Sequence, residues 1–322
     1  MPCFPAIGGG TWAWGNRFLW GYRAERDDRR LSEAFRLAIQ GGIRFFDSGD
    51  SYGTGRLAGR SEVLLGRFSA ALSDADRRGL ILATKLAPFP WRLTPESFEQ
   101  AARASRRRLR DRLDLVQLHW STANYLPWQE RPLLEGLARA VEAGTARALG
   151  LSNMGPRRLR LVAAWMQRRG VPVHSLQVQL SLLCPQAVAP GGLADSCRDL
   201  GIRLIAYSPL ALGLLGGRYQ PGGAMPEGPR GVLFRRMLPG IEPLLGLMRD
   251  IGQDHGSGPA AVALNWCRAH GAMPIPGLRD PQQVREIVRA QGWLLNSHER
   301  AALDQRIAGL KLRMVANPFQ SR

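Results

Sequence analysis

Ile43-Arg44-Phe45-Phe46-Asp47-Ser48-Gly49-Asp50-Ser51-Tyr52-Gly53 sets a short apolar run before an acid, and a phenol five positions further on. The pattern returns twice. Residues 80–83 are apolar and lead to Ala83-Thr84-Lys85, and residues 115–118 lead to Gln117-Leu118-His119-Trp120. Short apolar runs of this kind, bounded by polar and turn-forming residues, read as strands buried on both faces. An acid, a phenol, an amine and an imidazole therefore stand at the ends of successive buried strands.

Working outward, strands are expected at 6–11, 43–46, 80–84, 113–118, 146–151, 176–179, 202–207 and 273–275. Helical periodicity fills the intervals at 29–40, 61–71, 95–110, 131–142, 156–169, 191–200 and 259–269, with a last helix at 281–290. Thr94-Pro95 with Glu96, Gly155-Pro156 and Asp280-Pro281 are start signals, each placing a cap or a proline at a first turn. Strand and helix alternating at this spacing imply parallel β-α units. Eight of them across the chain predict one α/β domain, residues 1–322, closed as a (β/α)8 barrel. An open doubly wound sheet would usually carry Gly-x-Gly-x-x-Gly after its first strand, and Gly8-Gly9-Gly10-Thr11 does not match. The longest irregular stretch, 213–240, is rich in Gly and Pro and predicts an elongated loop after the seventh strand.

The 322 residues are 45% hydrophobic, enough for a large core. No apolar run approaches a membrane span, so no membrane partner is expected. The first residues lack a basic start followed by an apolar stretch, so no signal peptide is expected. A cytoplasmic location is expected, or the plastid stroma for a form whose transit peptide has been removed. Cys3, Cys184, Cys197 and Cys267 show no paired spacing; they fit a reduced compartment and neither a disulfide framework nor a metal site. The formal net charge is +18, almost all from arginine. It admits a nucleic-acid binder or an arginine-rich surface that steers anions. Only Arg106-Arg107-Arg108-Leu109-Arg110 is dense, and no stacking aromatics interleave it, which favours the second reading and no nucleic-acid partner.

Catalytic groups of a parallel barrel gather at the C-terminal ends of its strands. A tyrosine with a pKa near ~10 is a poor acid at neutral pH. A Lys85 ammonium close to Tyr52 would lower that pKa, with Asp47 keeping Lys85 charged and oriented. His119 could donate to a carbonyl oxygen and hold it near the Tyr52 hydroxyl. Singly, each residue is ordinary: a rim tyrosine, a structural ion pair, a satisfied core histidine. Together, at successive strand ends, they make one site that polarises C=O, receives hydride on carbon and protonates oxygen.

These four residues resemble the catalytic tetrad of the aldo-keto reductases, and the resemblance extends over nearly the whole chain. It implies a cofactor site for NADPH. Ser152 and Asn153 resemble the pair that binds the nicotinamide carboxamide, with Gln177 as companion. Tyr207, in Ala206-Tyr207-Ser208-Pro209-Leu210, resembles the aromatic stacked on the nicotinamide, with Ser208 and Leu210 beside it. Gly213-Leu214-Leu215-Gly216-Gly217-Arg218-Tyr219 is similar to the loop over the pyrophosphate, with Arg218 and then Arg230 as basic groups. Gly277, Arg279, Gln283 and Glu286 resemble the adenosine end, and Arg279 would meet the 2′-phosphate. Ile287 stands where the family commonly has Asn, which removes one adenine hydrogen bond. The chain also reaches its first strand almost at once, so the N-terminal hairpin that usually covers the barrel floor is expected to be reduced or absent, leaving the floor exposed or covered by another segment.

Further stretches resemble one branch, the plant-type pyridoxal reductases: Gly10-Thr11-Trp12-Ala13-Trp14-Gly15-Asn16, Gly49-Asp50-Ser51-Tyr52-Gly53-Thr54-Gly55-Arg56-Leu57, Pro90-Trp91-Arg92-Leu93-Thr94 and the tail Asn317-Pro318-Phe319-Gln320-Ser321-Arg322. The resemblance implies a small aldehyde, pyridoxal, as substrate. Aromatic walls suit a pyridine ring, and Trp14, Trp20, Trp91 and Trp120 are expected to line the mouth with Tyr52 and His119. Arg56 or Arg92 could meet an anionic group on the substrate.

Overall fold

Alternation of side chains along eight short strands decides which groups reach the inside of the barrel. The computed structural model describes residues 4–53 and 59–321; Cys3 and Arg56 lie outside them. The strands are β1 Gly9–Gly10, β2 Phe45–Asp47, β3 Ile81–Leu86, β4 Leu115–Leu118, β5 Ala148–Ser152, β6 Val173–Gln179, β7 Arg203–Tyr207 and β8 Met273–Ile275. They pair in parallel and in chain order. The ring closes between its ends: Gly8 N–H donates to Pro274 O at 3.0 Å, Gly10 N–H to Pro276 O at 2.8 Å, and Leu278 N–H to Gly10 O at 3.3 Å. The molecule is a (β/α)8 barrel.

Phe45, Ala83, Leu115, Ala148, Ile205, Met273 and Ile275 form a separate apolar cluster, the inner layer of the barrel. Two residues further along the same strands come Asp47, Lys85, Gln117, Gly150 and Tyr207. The period of two thus carries β2, β3, β4 and β7 from an apolar floor to a polar mouth. Intervening residues such as Phe46, Leu82, Val116, Leu149 and Leu204 belong to the larger core between strands and helices.

Six helices among the described residues open with proline, at Pro95, Pro127, Pro156, Pro229, Pro259 and Pro281. A proline there loses no intrahelical bond and its φ is already helical. Several elements depart from the sequence reading: helices start early at Ala24 and Pro127, β6 starts at Val173, and short helices appear at Arg17–Trp20 and Asp74–Arg78. The first strand is only Gly9–Gly10, inside the expected 6–11. The irregular stretch ends at Gly228, because Pro229–Asp254 is one helix. Its Phe234, Met237, Leu238, Ile241, Leu244, Leu245 and Met248 form a buried face. Pro239 and Pro243 sit on the exposed face, where the carbonyls they leave unbonded meet water. The helix Ser297–Ala308 was not expected at all, although Asn296 and Glu299 form a capping box at its start.

No strand precedes β1 among the described residues. At the barrel floor Phe4 packs on Phe45, ring centroids 5.8 Å apart, and Arg203 donates to Pro5 O at 3.4 Å. Residues 4–5 therefore cover part of that end.

Candidate active site

Asp47 ends β2 and Lys85 lies near the end of β3, both pointing inward and both almost wholly buried. Their charges pair, and Lys85 also donates to Ser48 O at 2.7 Å. The other Asp47 oxygen, Oδ1, accepts from Gln117 Nε2 at 2.9 Å and Gln177 Nε2 at 3.0 Å. A buried ion pair persists only when its remaining lone pairs are satisfied, and the two amides do that. Gln117 went unnoticed in the sequence, although it shares inward parity with Leu115 and His119. Gln177 lies beside Ser152 across the β5–β6 pair, as the cofactor reading requires, but its amide nitrogen is committed to Asp47 and to Gln117 Oε1 at 3.3 Å.

Tyr52 stands half-buried above this pair. Its ring lies on Gly49, where a Cβ would approach the ring to 3.0 Å. The Lys85 ammonium is 4.9 Å from the ring centroid, and the His119 ring is 5.6 Å away, edge-on. The surroundings oppose the expected depression of the phenol pKa. Burial pushes it well above the ordinary value, and the Asp47 and Asp50 carboxylates push the same way. The ammonium is matched by Asp47, so in the resting site its pull toward phenolate does not outweigh burial. Burial likewise lowers the Lys85 pKa, against the pull of Asp47. His119 is held well below the usual imidazole range by burial and then by Lys85. Its Nδ1 lies 3.5 Å from Ser51 Oγ, and its carbonyl accepts from Asn153 Nδ2 at 2.9 Å. At neutral pH the mouth thus presents a protonated phenol and a neutral imidazole over a buried ion pair.

On the opposite arc, Ser152 ends β5 and Asn153 follows at φ 54°, its Nδ2 donating to Ser152 Oγ at 3.1 Å. Tyr207 ends β7 and donates to Asn153 Oδ1 at 2.9 Å. The C-terminal tail joins them: Asn317 Nδ2 donates to Tyr207 Oη at 2.7 Å and to Asn153 Oδ1 at 3.1 Å. Sequence reading assigned Asn317 no role. After β7 the chain holds Ser208, Ala211 and Leu212 at positive φ before Gly213 at φ 103°. Left-handed non-glycine residues cost about 1 kcal/mol each and cluster where a loop is shaped for a ligand. Leu210 is half-buried in this turn, Gly213 N–H donates to Leu210 O at 2.8 Å, and Arg230 Nη2 holds Leu212 O at 2.9 Å.

Beyond that loop Arg230 and Arg279 both lie over the Trp20 ring, at 4.1 and 4.6 Å. Arg279 is pushed down to about 10, first by burial and then by Arg230. Arg218 is exposed beside Tyr219. Gly277 and Gln283 are exposed, and Glu286 is half-buried with its pKa raised by burial. Ile287, in place of the family's usual Asn, packs into the core.

The tryptophans separate. Trp14 is 0% exposed, packs against Phe35 and Phe68, and donates to Leu278 O at 2.6 Å, so it is core and not mouth. Trp20 belongs to the arginine cluster and not to the substrate side. Trp91 is 67% exposed and stacked on Phe89. Trp120 lies between His119 and Phe319, 4.9 Å from each, and donates to Tyr125 Oη at 2.5 Å. Arg92 is taken up by buried Asp50 at 2.6 Å and by Ala87 O at 2.7 Å. Among the described residues no group of three or more His, Cys, Asp or Glu could hold a metal ion, Cys184, Cys197 and Cys267 are free, and no helix is long and apolar enough to cross a membrane.

Comparison with known proteins agrees with this architecture. The aldo/keto reductase family matches residues 6–308. A chloroplastic pyridoxal reductase from Arabidopsis thaliana is 46% identical over 320 residues, covering 98% of this chain and 87% of that one. A 6-dehydroglucose reductase from Novosphingobium aromaticivorans is 30% identical over 285 residues, covering 85% and 84%. Among solved structures, an aldo-keto reductase from Klebsiella pneumoniae in complex with NADPH superposes with a TM-score of 0.73 at 24% identity, covering 97% of this chain and 94% of the other. The match over most of the chain is decisive: the protein belongs to the aldo/keto reductase family of oxidoreductases.

Proposed function

We propose that the protein is an NADPH-dependent reductase that converts pyridoxal to pyridoxine at the 4-formyl carbon. The observation that carries the reading is the convergence of Asp47, Tyr52, Lys85 and His119 at one barrel mouth, in a chain 46% identical to a pyridoxal reductase. The residues present fit the cofactor. Trp20 Nε1 and Arg230 Nε are buried without hydrogen-bond partners, and Arg279 forms no ion pair among the described residues. Such groups suit phosphates.

Bound NADPH supplies a hydride to the formyl carbon. Ser152, Asn153 and Gln177 would hold its carboxamide, and Tyr207 its ring face with Ser208 and Leu210 alongside. Gly213, Arg218 and Arg230 would border the pyrophosphate. Gly277, Arg279, Gln283 and Glu286 would border the adenosine end. His119 donates one hydrogen bond to the carbonyl oxygen, orienting it toward Tyr52. As the oxygen gains negative charge, Tyr52 gives up its phenolic proton. The Lys85 ammonium then stabilises the phenolate that briefly forms, and solvent restores the proton. The sum is pyridoxal, NADPH and one proton giving pyridoxine and NADP+. Trp91 and Trp120 are the indoles left at the mouth to flank a flat ring.

The test is NADPH oxidation across pyridoxal, pyridoxal phosphate, nitrobenzaldehyde and hexanal. Pyridoxal should exceed hexanal in kcat/KM, since discrimination requires transition-state contacts and not mere burial. Equal rates reduce the proposal to a generic aldehyde reductase. NADPH binding with no turnover of any aldehyde favours a nucleotide-sensing protein on the same fold.

A further inference from the structure

Trp20 comes from the loop after β1, yet its surroundings come from the far end of the chain. It sits on a single helical turn, Arg17–Trp20, whose start is capped by Asn16 Oδ1 on Leu19 N–H at 3.0 Å. Gly21 ends the turn at φ 59°. Arg279 Nη2 donates to the Trp20 carbonyl at 3.2 Å while its guanidinium lies over the indole, as does that of Arg230.

Two features of this cluster are unusual for a stable interior. First, it holds donors without acceptors: indole N–H can only donate, and Trp20 Nε1 and Arg230 Nε are both buried with no partner. A buried orphan donor costs free energy unless something completes it. Second, two guanidinium groups lie close together with no carboxylate paired to either among the described residues. The nearest acid to influence Arg279, Asp27, is engaged by Arg26 and by the Arg23 N–H. An aromatic face accommodates a guanidinium by cation–π attraction without cancelling its charge. A carboxylate in the place of Trp20 would neutralise both arginines and repel an anion.

We propose that Trp20 is a cofactor-binding residue whose indole N–H, with Arg279 and Arg230, holds the 2′-phosphate of the dinucleotide. The proposal rests on the NADPH-dependent reading above and adds a residue to it. It makes Trp20 a determinant of NADPH over NADH. Because the indole nitrogen is closed from solvent, the stack must part for the phosphate to enter, and binding should change the emission of Trp20.

Trp20→Phe keeps an aromatic face for the guanidinium groups and deletes the N–H together with part of the ring; the NADH titration reads the packing lost with it. Wild type and variant are titrated with NADPH, NADH and adenosine 2′,5′-bisphosphate, with binding followed by calorimetry. Tryptophan fluorescence and a melting curve accompany the titrations as a check of fold. One hydrogen bond to a charged group corresponds to on the order of a tenfold loss in affinity. That loss is expected for NADPH and for the bisphosphate, with NADH changed by less than about twofold. Unchanged NADPH affinity overturns the proposal, as does equal weakening for NADPH and NADH, which would mark a structural role. A wild-type protein that does not bind NADPH would overturn the cofactor reading itself, and this proposal with it.

Discussion

Tyr52 can stand where it does because Gly49 has no side chain. A Cβ there would stand 3.0 Å from the Tyr52 ring, tight enough that the ring must shift by a few tenths of an ångström, and the Tyr52 N–H turns back to Gly49 O at 3.0 Å. Gly49→Ala should therefore displace the phenol without touching the cofactor groove. We expect kcat to fall by roughly 10²-fold, the scale of losing a positioned acid, with NADPH affinity unchanged; stopped-flow turnover beside a binding titration checks both. Near-normal kcat would show that the ring tolerates the shift. His119 gives a second test. Its folded-state pKa lies well below the ordinary ~6.5 of the unfolded chain. Between those values the unfolded state binds the extra proton, so stability is complete above about 6.5 and is lost as pH falls. Melting temperatures from about pH 7.5 to about pH 5.5 should drop more for wild type than for His119→Gln. Asp50 and Glu62 titrate in both proteins, so the difference isolates His119; parallel curves would contradict its neutral burial. At this scale the sequence brings forward Asp47, Lys85 and His119 because each closes an apolar run, and Tyr52 because it follows Asp47 by five positions. Gln117 hides inside such a run, Asn317 arrives from a tail with no local signal, and Trp14 and Trp20 differ only in tertiary neighbours.

The helices Arg60–Ala70 and Pro95–Arg108 are joined through a charge that neither sequence segment advertises. Glu62 is 0% exposed and accepts from Arg108 Nε at 2.5 Å and from Thr84 on β3. Burial raises its pKa while Arg108 opposes the shift. Arg108→Ala would strand a buried carboxylate, at a cost of about 3 kcal/mol at neutral pH. The cost should shrink in acid, where Glu62 takes a proton, and the double variant with Glu62→Gln should recover most of it. Urea denaturation at two pH values measures this; an Arg108→Ala loss below about 0.5 kcal/mol would make the pair an incidental contact. The pair accounts for one arginine of the dense basic run, and Arg106, which donates to Gly144 O at 2.8 Å, for another. Strand and helix order were legible because the two periodicities are strong. The helix Pro229–Asp254 was not, since two prolines outweigh its apolar stripe until it is known which side faces water. Glycine approach also escapes the sequence: a Cβ on Gly136 would overlap the Pro95 carbonyl, where two helices meet.

Across the whole molecule the surplus of positive charge should act at long range. A net +18 raises the local concentration of anions, and the effect fades once the Debye length falls to about 10 Å. The protein should bind heparin at low salt, elute at modest salt, and leave RNA unprotected from nuclease. NADPH affinity should weaken more steeply with salt than NADH affinity, because one extra phosphate is being drawn in. Protection of an RNA segment at physiological salt would instead reinstate a nucleic-acid role.

Gly8, Gly10 and Trp14 bond to Pro274, Pro276 and Leu278, so the first turn of the barrel waits for nearly the last. On a ribosome adding about 5–20 residues each second, β1 emerges well before β8 exists. Until then the growing sheet has raw edges at both ends, open to pairing with other chains. Trp20 likewise meets Arg279 only after that seam closes. Chains that end short of Leu278 should be prone to aggregate rather than form a smaller working barrel, and the phosphate-binding corner should be among the last parts of a newborn molecule to take shape.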